Sequence, residues 1–409
     1  MHSCHIDFLL ALRNVLRQKR RSLVALSAVC FGVVALVLAS GFIEWIYQAM
    51  REDTIHSHLG HAQIIRPDYL DSGLADPFGY LLPDAPDERQ DIERLPHVRA
   101  VAPRLSFSGL ISHGDSTISF IADGVDPEKE ELLSRTLLIS KGKGLSSTDP
   151  KGIIVGDGLA ANLGVTVGDQ VVLLANTSSG GINAVEAHLR GTFSTVTKAY
   201  DDSALRLPLP LAQQLLRVEG SHRWLVLLDD TAYTDELIDE LRRRLAVKEL
   251  EVVPWFQLAD FYNKTVALFS KQVGVMKFII AIIIVLSISN TLMMSVMERT
   301  GEIGTSMALG YGRVRILRLF VSEAGLLGLF GGVSGVLMGT LLAQIISAIG
   351  IPMPPPPGMA RGFTGQIHVT WPLALDALSL AFSTTLLASV YPAWKASRME
   401  IVDALRHNR

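Results

Sequence analysis

Four stretches of this chain are so apolar that they leave little choice of conformation. Ser22–Ile43, Phe278–Met297 and Ala324–Ile349 contain no charged residue, and Trp371–Trp394 contains one, Asp376. About 20 apolar residues cross a bilayer as a helix. Inside hydrocarbon only helices and closed barrels satisfy their own backbone hydrogen bonds. The expected fold is therefore a multi-pass α-helical membrane protein with four transmembrane helices, placed at 22–46, 272–297, 319–350 and 371–394. Trp371 and Trp394 bracket the last span at positions suited to the two interfaces. Mean hydropathy of +0.32 and 49% hydrophobic residues fit this, while 19% charge is too much for a purely membranous chain. A large soluble part must be present as well.

The charges are segregated, so the net charge of −3 says little. Arg13, Arg17, Lys19, Arg20 and Arg21 precede the first span, and Arg313, Arg315 and Arg318 precede the third. Lys395, Arg398, Arg406 and Arg409 follow the fourth. Basic flanks mark the cytoplasmic side, which puts both termini and the 298–318 loop inside. Residues 47–271 then form a large α+β extracytoplasmic domain inserted between helices 1 and 2. Such segregation argues against nucleic-acid binding, which needs a basic face on a folded domain. The first span is too long for a signal-peptide core and lacks a small-x-small cleavage site. Val29 before Cys30 argues against a lipidated cysteine there. With Cys4 inside and Cys30 in the membrane, the outer domain has no disulfide.

The first 21 residues read as a basic amphipathic helix. Ile6, Leu9, Leu10, Leu12 and Leu16 fall mainly on one side, with Asp7, Arg13, Asn14, Arg17 and Arg20 on the other. Such a helix lies in the headgroup plane as an orientation anchor, with room for a share in contacting a cytoplasmic partner. Both ends of the outer domain look like helical continuations of the spans, Glu44–His58 and Phe256–Lys271. Within it, Ala62–Arg66, Ser116–Ile121, Ile153–Val155, Gln170–Leu174, His188–Phe193 and Trp224–Leu228 read as strands. Gly158–Leu163, Leu209–Arg217 and Thr234–Ala246 read as helices, and the region near 140–200 reads as a strand-rich insertion. Ile351–Gly358, in the outer loop 351–370, reads as a stiff polyproline cap.

No catalytic residue stands out. His56, His58 and His61 have no cysteine and no clear carboxylate partner, so they read as exposed loop histidines rather than as zinc ligands. Gly142-Lys143-Gly144 is not a phosphate loop, because GxxxxGK[ST] is absent. No cofactor is expected in this chain, and no metal. Gly331, Gly335 and Gly339 recur every four residues, with Gly328 and Gly332 as a second row. Small residues so spaced let helices approach closely, within the subunit or against a second permease chain. Glu44, Glu323 and Asp376 lie near span ends and can reach the interface, so they need not form a proton relay.

The segment after the second span carries the sharpest signal. Glu298, Arg299 and Glu302 are followed by an apolar patch, Ile303–Leu309, then Gly310-Tyr311-Gly312 and the arginines. An apolar patch between charges in a cytoplasmic loop at 298–318 is built to dock. Glu298-Arg299, Glu302-Ile303-Gly304 and Ala308-Leu309-Gly310 resemble the ER-x-x-EIG…ALG signature of FtsX-like and MacB-like ABC transporter permeases. Tyr391-Pro392-Ala393-Trp394-Lys395-Ala396-Ser397, with Ala404-Leu405-Arg406 in the tail 395–409, resembles that family's ending. Val155-Gly156-Asp157-Gly158-Leu159-Ala160, Leu163-Gly164-Val165 and Val167-Gly168-Asp169 resemble the MacB-like periplasmic core.

The resemblance implies a bacterial inner-membrane permease worked by an ABC ATPase subunit dimer, which would bind the ATP and magnesium. It pairs with a second permease chain, identical or a sister, and has membrane lipids and a periplasmic carrier or adaptor as further partners. Glu298, Arg299, Glu302, Ile303, Gly304, Met307, Leu309 and Gly310 would couple to the ATPase. Leu38, Phe42 and Ile43 with Phe278 and Ile282 would line a groove for acylated cargo. The family transmits motion across the membrane. Its members include LolC/LolE-like lipoprotein-releasing permeases, which this chain resembles, MacB-like tripartite efflux permeases, and FtsX-like regulators of cell-wall hydrolases. The outer domain, at over two hundred residues, favours transport.

Overall fold

A computed structural model describes residues 10–11, 13–14, 17, 19–73, 75–134, 137–195, 198–354 and 362–399, without the side chains of His58 and Val247. Ile6, Asp7, Leu9, Leu12 and Leu16 of the N-terminal stretch lie outside the described residues. So do the prolines beyond Pro354 and the closing Ala404-Leu405-Arg406. The chain divides into two compact units. One comprises Met1–Gln48, Thr265–Pro352 and Thr364–Arg409, the other Ala49–Lys264 with Met353–Phe363.

The first long helix is α1 (Lys19–Thr54), followed by β1 (Ala62–Ile65), α2 (Pro86–Glu93), β2 (Val98–His113), β3 (Ser116–Val125) and α3 (Pro127–Leu133). Then come β4 (Leu138–Gly142), β5 (Gly152–Gly156), α4 (Asp157–Leu163), β6 (Gln170–Asn176), β7 (Ile182–Ser194), β8 (Ala204–Pro208) and α5 (Leu209–Leu216). After them follow β9 (Arg223–Leu228), α6 (Thr234–Leu245), β10 (Glu251–Pro254), α7 (Asp260–Glu298) and α8 (Thr300–Ala308). The last are α9 (Arg313–Ile349), the short ladder of β11 (Ile351–Met353) with β12 (Phe363–Gly365), and α10 (Trp371–Ser397).

Among the described residues, α1, α7, α9 and α10 are the four helices long and apolar enough to cross a membrane. α1 and α7 run 36 and 39 residues. At about 1.5 Å per residue each exceeds a hydrocarbon core of roughly 30 Å. Two expected boundaries shift. α9 starts at Arg313, so Arg313, Arg315 and Arg318 occupy its first turns and not a loop; nothing from Val314 onward breaks a helix. The first residues of the proline loop form β11 instead of polyproline structure.

In this unit the two glycine rows of α9 face different partners. A Cβ on Gly331, Gly335 or Gly339 would lie 2.8, 2.7 or 3.1 Å from the Cβ atoms of Val29, Val33 and Val37 on α1. A Cβ on Gly328 would meet Thr385 Oγ1 at 2.0 Å, and one on Gly332 would meet Leu378 Cδ1 at 2.7 Å, both on α10. Without a hydrophobic driving force between helices in lipid, such close van der Waals contact supplies much of the association. Ile280, Ile284, Ile288 and Leu292 bring α7 into the same core, with Ile280 and Ile284 against Gly32. Two buried hydroxyls of α10 are satisfied within their own helix. Thr385 and Ser389, both fully buried, donate to the carbonyls of Phe382 at 2.9 Å and Leu386 at 2.6 Å.

The other unit is one ten-stranded sheet of order β10-β1-β9-β2-β3-β8-β5-β7-β4, with β6 joined to β2 and β7. Strands of the 140–200 region therefore continue the main sheet and are not a separate insertion. β2 is the spine: it pairs with β9 through Val98–Arg104, with β3 through Arg104–His113 and with β6 through Leu110–Ser112. α2 and α6 cover one apolar core around Trp224, and α4 and α5 cover another around Leu173 and Leu205. Where β2, β3, β8 and α3 meet, Arg104 and Arg206 share the Glu130 carboxylate, with Arg104 Nη2 2.7 Å from Oε2. Arg104 also lies 3.8 Å from Asp123.

Gly335→Ala forces a methyl against Val33 and the Cys30 carbonyl, where overpacking costs typically 1–3 kcal/mol. Gly274, in α7, has nothing within 4 Å of its Cβ direction. There alanine gains helix propensity of about 1 kcal/mol. Thermal unfolding in detergent should show Gly335→Ala melting lower than the parent and Gly274→Ala melting equal or higher. The reverse order would show that α1 and α9 do not meet at these glycines.

Candidate functional site

The segment following α7 is held by its own charges. α7 stops at Glu298 because Arg299 leaves helical geometry, with φ −97° and ψ 13°. Thr300 donates its hydroxyl to the Met297 carbonyl at 2.7 Å, tying the start of α8 to the last turn of α7. α8 ends where Gly310 takes φ +96°. That left-handed conformation suits glycine, and it explains the residue's place after Ala308-Leu309. Gly310 and Tyr311 close the turn by donating to the carbonyls of Met307 and Ser306, both at 3.0 Å.

One face of α8 is buried. Thr300, Ile303 and Gly304 point inward, and Ile303 packs with Val296, Ile316, Phe320, Ala393 and Ala396, with Met307 partly covered beside them. The expectation that Ile303 fills a partner's groove is thus corrected, because the intramolecular core takes its side chain. Leu309 is exposed over 79% of its surface, and Val314 and Tyr311 are exposed next to it. Tyr311 and Val314 escaped the sequence reading. Their signal was available, as apolar residues on either side of a glycine turn.

The charged residues are paired with other elements. Glu298 pairs with Arg21, and Glu302 pairs with Arg17 at 3.2 Å. Arg299 donates to Glu302 at 3.2 Å and to Glu323 at 3.4 Å, with its guanidinium 5.8 Å from the centre of the Phe320 ring. Glu323 is buried and does not reach the interface. An exposed pair is worth about 0–1 kcal/mol, whereas removing one partner of a buried pair costs roughly 3–5 kcal/mol. Arg299–Glu323 therefore dominates this network. Near the other end of the spans, Asp376 on α10 pairs with Lys277 on α7 at 2.6 Å.

The groove residues are not brought together. Phe42 stacks on Trp45 at 6.0 Å and packs toward Gly365, while Leu38 and Ile43 are half-buried. Phe278 and Ile282 are exposed. Both lie two residues from Ile280, so at 100° per residue they fall on the face of α7 turned away from α1.

Of the three histidines expected in exposed loops, His56 is half-buried and His61 is buried. His61 is buried, accepts from the Leu228 backbone N–H at 3.1 Å, and contacts Thr231 Oγ1 at 3.2 Å. Its pKa is pushed down to about 4, first by burial and then by neighbouring His56. His56 lies 3.6 Å from Glu52. His222, also buried, accepts from the Ser106 N–H and donates to the Pro77 carbonyl; burial lowers it to about 4 as well. Burial would raise Asp123, yet Arg104 and Arg223 hold its carboxyl at about 2.

A family profile described as MacB-like periplasmic core domain matches residues 22–244, and one described as FtsX-like permease C-terminal matches residues 274–401. The chain belongs to the FtsX/MacB-like family of ABC transporter permeases. It is 26% identical over 277 residues to an uncharacterized ABC transporter permease of Methanocaldococcus jannaschii, covering 66% of this chain and 65% of that one. It is 25% identical over 418 residues to the macrolide export ATP-binding/permease protein MacB of Sodalis glossinidius, covering 97% and 60%. To the lipoprotein-releasing system transmembrane protein LolC of Xylella fastidiosa it is 25% identical over 334 residues, covering 76% and 78%. The permease thus spans less than two thirds of the length of the first two relatives. Its architecture is four membrane helices with a MacB-like periplasmic domain between the first and second.

His61 and His222 give the periplasmic unit a mild-acid sensitivity. Both are neutral when folded, while the unfolded chain takes up their protons near pH 6.5. Their stabilisation is complete above that pH, shrinks as pH falls, and is gone below about 4. The loss is on the order of 3 kcal/mol per histidine at full charging. Thermal midpoints of the whole protein between pH 7 and 4.5 should fall, and His61→Gln should flatten that slope. Equal slopes in parent and variant would refute the assignment.

Proposed function

We propose that this permease is the membrane part of an ATP-driven transporter of the mechanotransmission type, drawing lipoprotein or lipid-like cargo from the inner membrane toward the periplasm. ATP and magnesium are bound by a partner ATPase, and both termini and α8 face the cytosol. The observation that carries the reading is the α8 turn. It presents Leu309 and Tyr311 outward, with Val314 of α9 beside them, while Ile303, Met307, Arg299 and Glu302 are tied to the bundle. A free apolar surface on an otherwise anchored element is suited to receive a push. The helix interior supports motion over conduction, since the α1–α9 seam is closed by valine against glycine. Likeness to a lipoprotein-releasing LolC protein over 78% of that protein's length supports the choice of cargo.

Burying a leucine is worth about 1.5–3 kcal/mol. Leu309→Asp should therefore abolish co-purification with the ATPase and lower coupled hydrolysis at least ten-fold, while the permease stays inserted with an unchanged thermal midpoint. Full retention of both would sink the docking assignment. For the cargo, a photo-crosslinking amino acid at Phe278, exposed on the outward face of α7, should capture acylated protein in native membranes, and ATP should reduce the adduct. Capture of nothing acylated, together with ATP-dependent export of a macrolide in the same membranes, would replace this reading with efflux.

A further inference from the structure

Arg299 is the only residue between α7 and α8, and it is bonded to a helix other than the one it follows. Its guanidinium reaches Glu302 on α8 at 3.2 Å and Glu323 on α9 at 3.4 Å, and it lies over Phe320 of α9. The Glu323 side chain is 6% exposed and that of Arg299 14%. A buried pair holds its geometry because neither ion can be left alone without a desolvation cost. α9 in turn is locked to α1 by the Val29, Val33 and Val37 contacts with Gly331, Gly335 and Gly339. Arg17 and Arg21, at the start of α1 and just before it, pair with Glu302 and Glu298. Arg299 and Glu302 thus tether α8 to α9 and to Arg17 ahead of α1, while Arg21 ties Glu298, the last residue of α7, to α1. α8 joins α7 through Arg299, the hydroxyl bond of Thr300 and the packing of Ile303 against Val296.

We infer that Arg299 is a positioning residue that delivers displacement of α8 into α9 through Glu323, and from α9 into α1 through the valine–glycine seam, so that α8, α9 and α1 move together. The inference rests on the proposed ATPase docking at α8 and adds the route by which the push enters the membrane. Arg299 touches neither nucleotide nor cargo. It acts by fixing where α8 stands relative to α9. A merely structural pair could be replaced by two apolar side chains of similar volume without loss, since a buried ion pair adds little net stability. A tether could not.

The test is hydrogen exchange on the full chain in lipid nanodiscs, comparing Arg299→Met, the double variant Arg299→Met with Glu323→Met, and Arg299→Lys. Amides of Thr300–Ala308 should exchange roughly ten-fold faster in Arg299→Met. They should stay fast in the double variant, although its thermal midpoint returns to the parent's. Lysine, which can still reach Glu323, should restore protection to within about two-fold. If the double variant is as protected as the parent, the pair only fills space and the inference falls. In a second arm, the partner ATPase and a non-hydrolysable ATP analogue are added. The parent should then change exchange in Thr300–Ala308 and in the first half of α9 together, and the double variant in Thr300–Ala308 alone. Identical responses in both overturn the route. If even the parent shows no response to nucleotide, the docking reading of α8 is what fails, and the first arm still judges the tether.

Discussion

The membrane unit depends on the absence of side chains along one edge of α9. Helices in lipid gain nothing from hiding apolar surface from an equally apolar solvent, so association must come from contact distance. Glycines at four-residue spacing let α9 settle onto Val29, Val33 and Val37, and a second row, offset by three residues, lets α10 settle on the adjoining face. α9 is therefore the helix about which the others are arranged. Its burial of Glu323 fits that central position.

Charge at the α8 end of the spans serves a different purpose from charge in ordinary surface loops. Arg17, Arg21, Arg299, Glu298, Glu302 and Glu323 form pairs that link separate helices. The exposed members contribute little energy, but they limit where α8 can stand. The covered member does the holding. The same residues that look like a docking surface in one dimension are the ones that leave only the Leu309 turn free in three.

The four spans and the α+β character of the outer unit were legible because composition alone determines the first and short apolar runs mark the second. The failures have physical causes. β2 went unseen because Pro103 and Gly109 interrupt its alternation, although it is the longest strand, at 16 residues. β8 and β10 are short and flanked by proline, and their burial comes from neighbours distant in sequence. The direction of Arg299 could not be read, because its partner Glu323 lies 24 residues away on another helix. The groove was a different kind of miss. Ile280, Ile284 and Ile288 already share one face by four-residue spacing, which puts Phe278 and Ile282 on the other.

In the outer unit a continuous sheet and a buried ion cluster act on the same point. β2 runs through both apolar cores, so bending one core against the other would have to distort its ladders with β9 and β3. Arg104, in the register where β2 passes from β9 to β3, is also where Glu130 and Asp123 converge, with Arg206 entering from β8. Any hinge opening there would separate charges that have almost no water to take over. A buried arginine left without its carboxylate costs several kcal/mol, far more than the bending of a few backbone hydrogen bonds. The junction between the two cores is therefore where flexing is most strongly opposed, and the two cores are constrained to move together as one sheet.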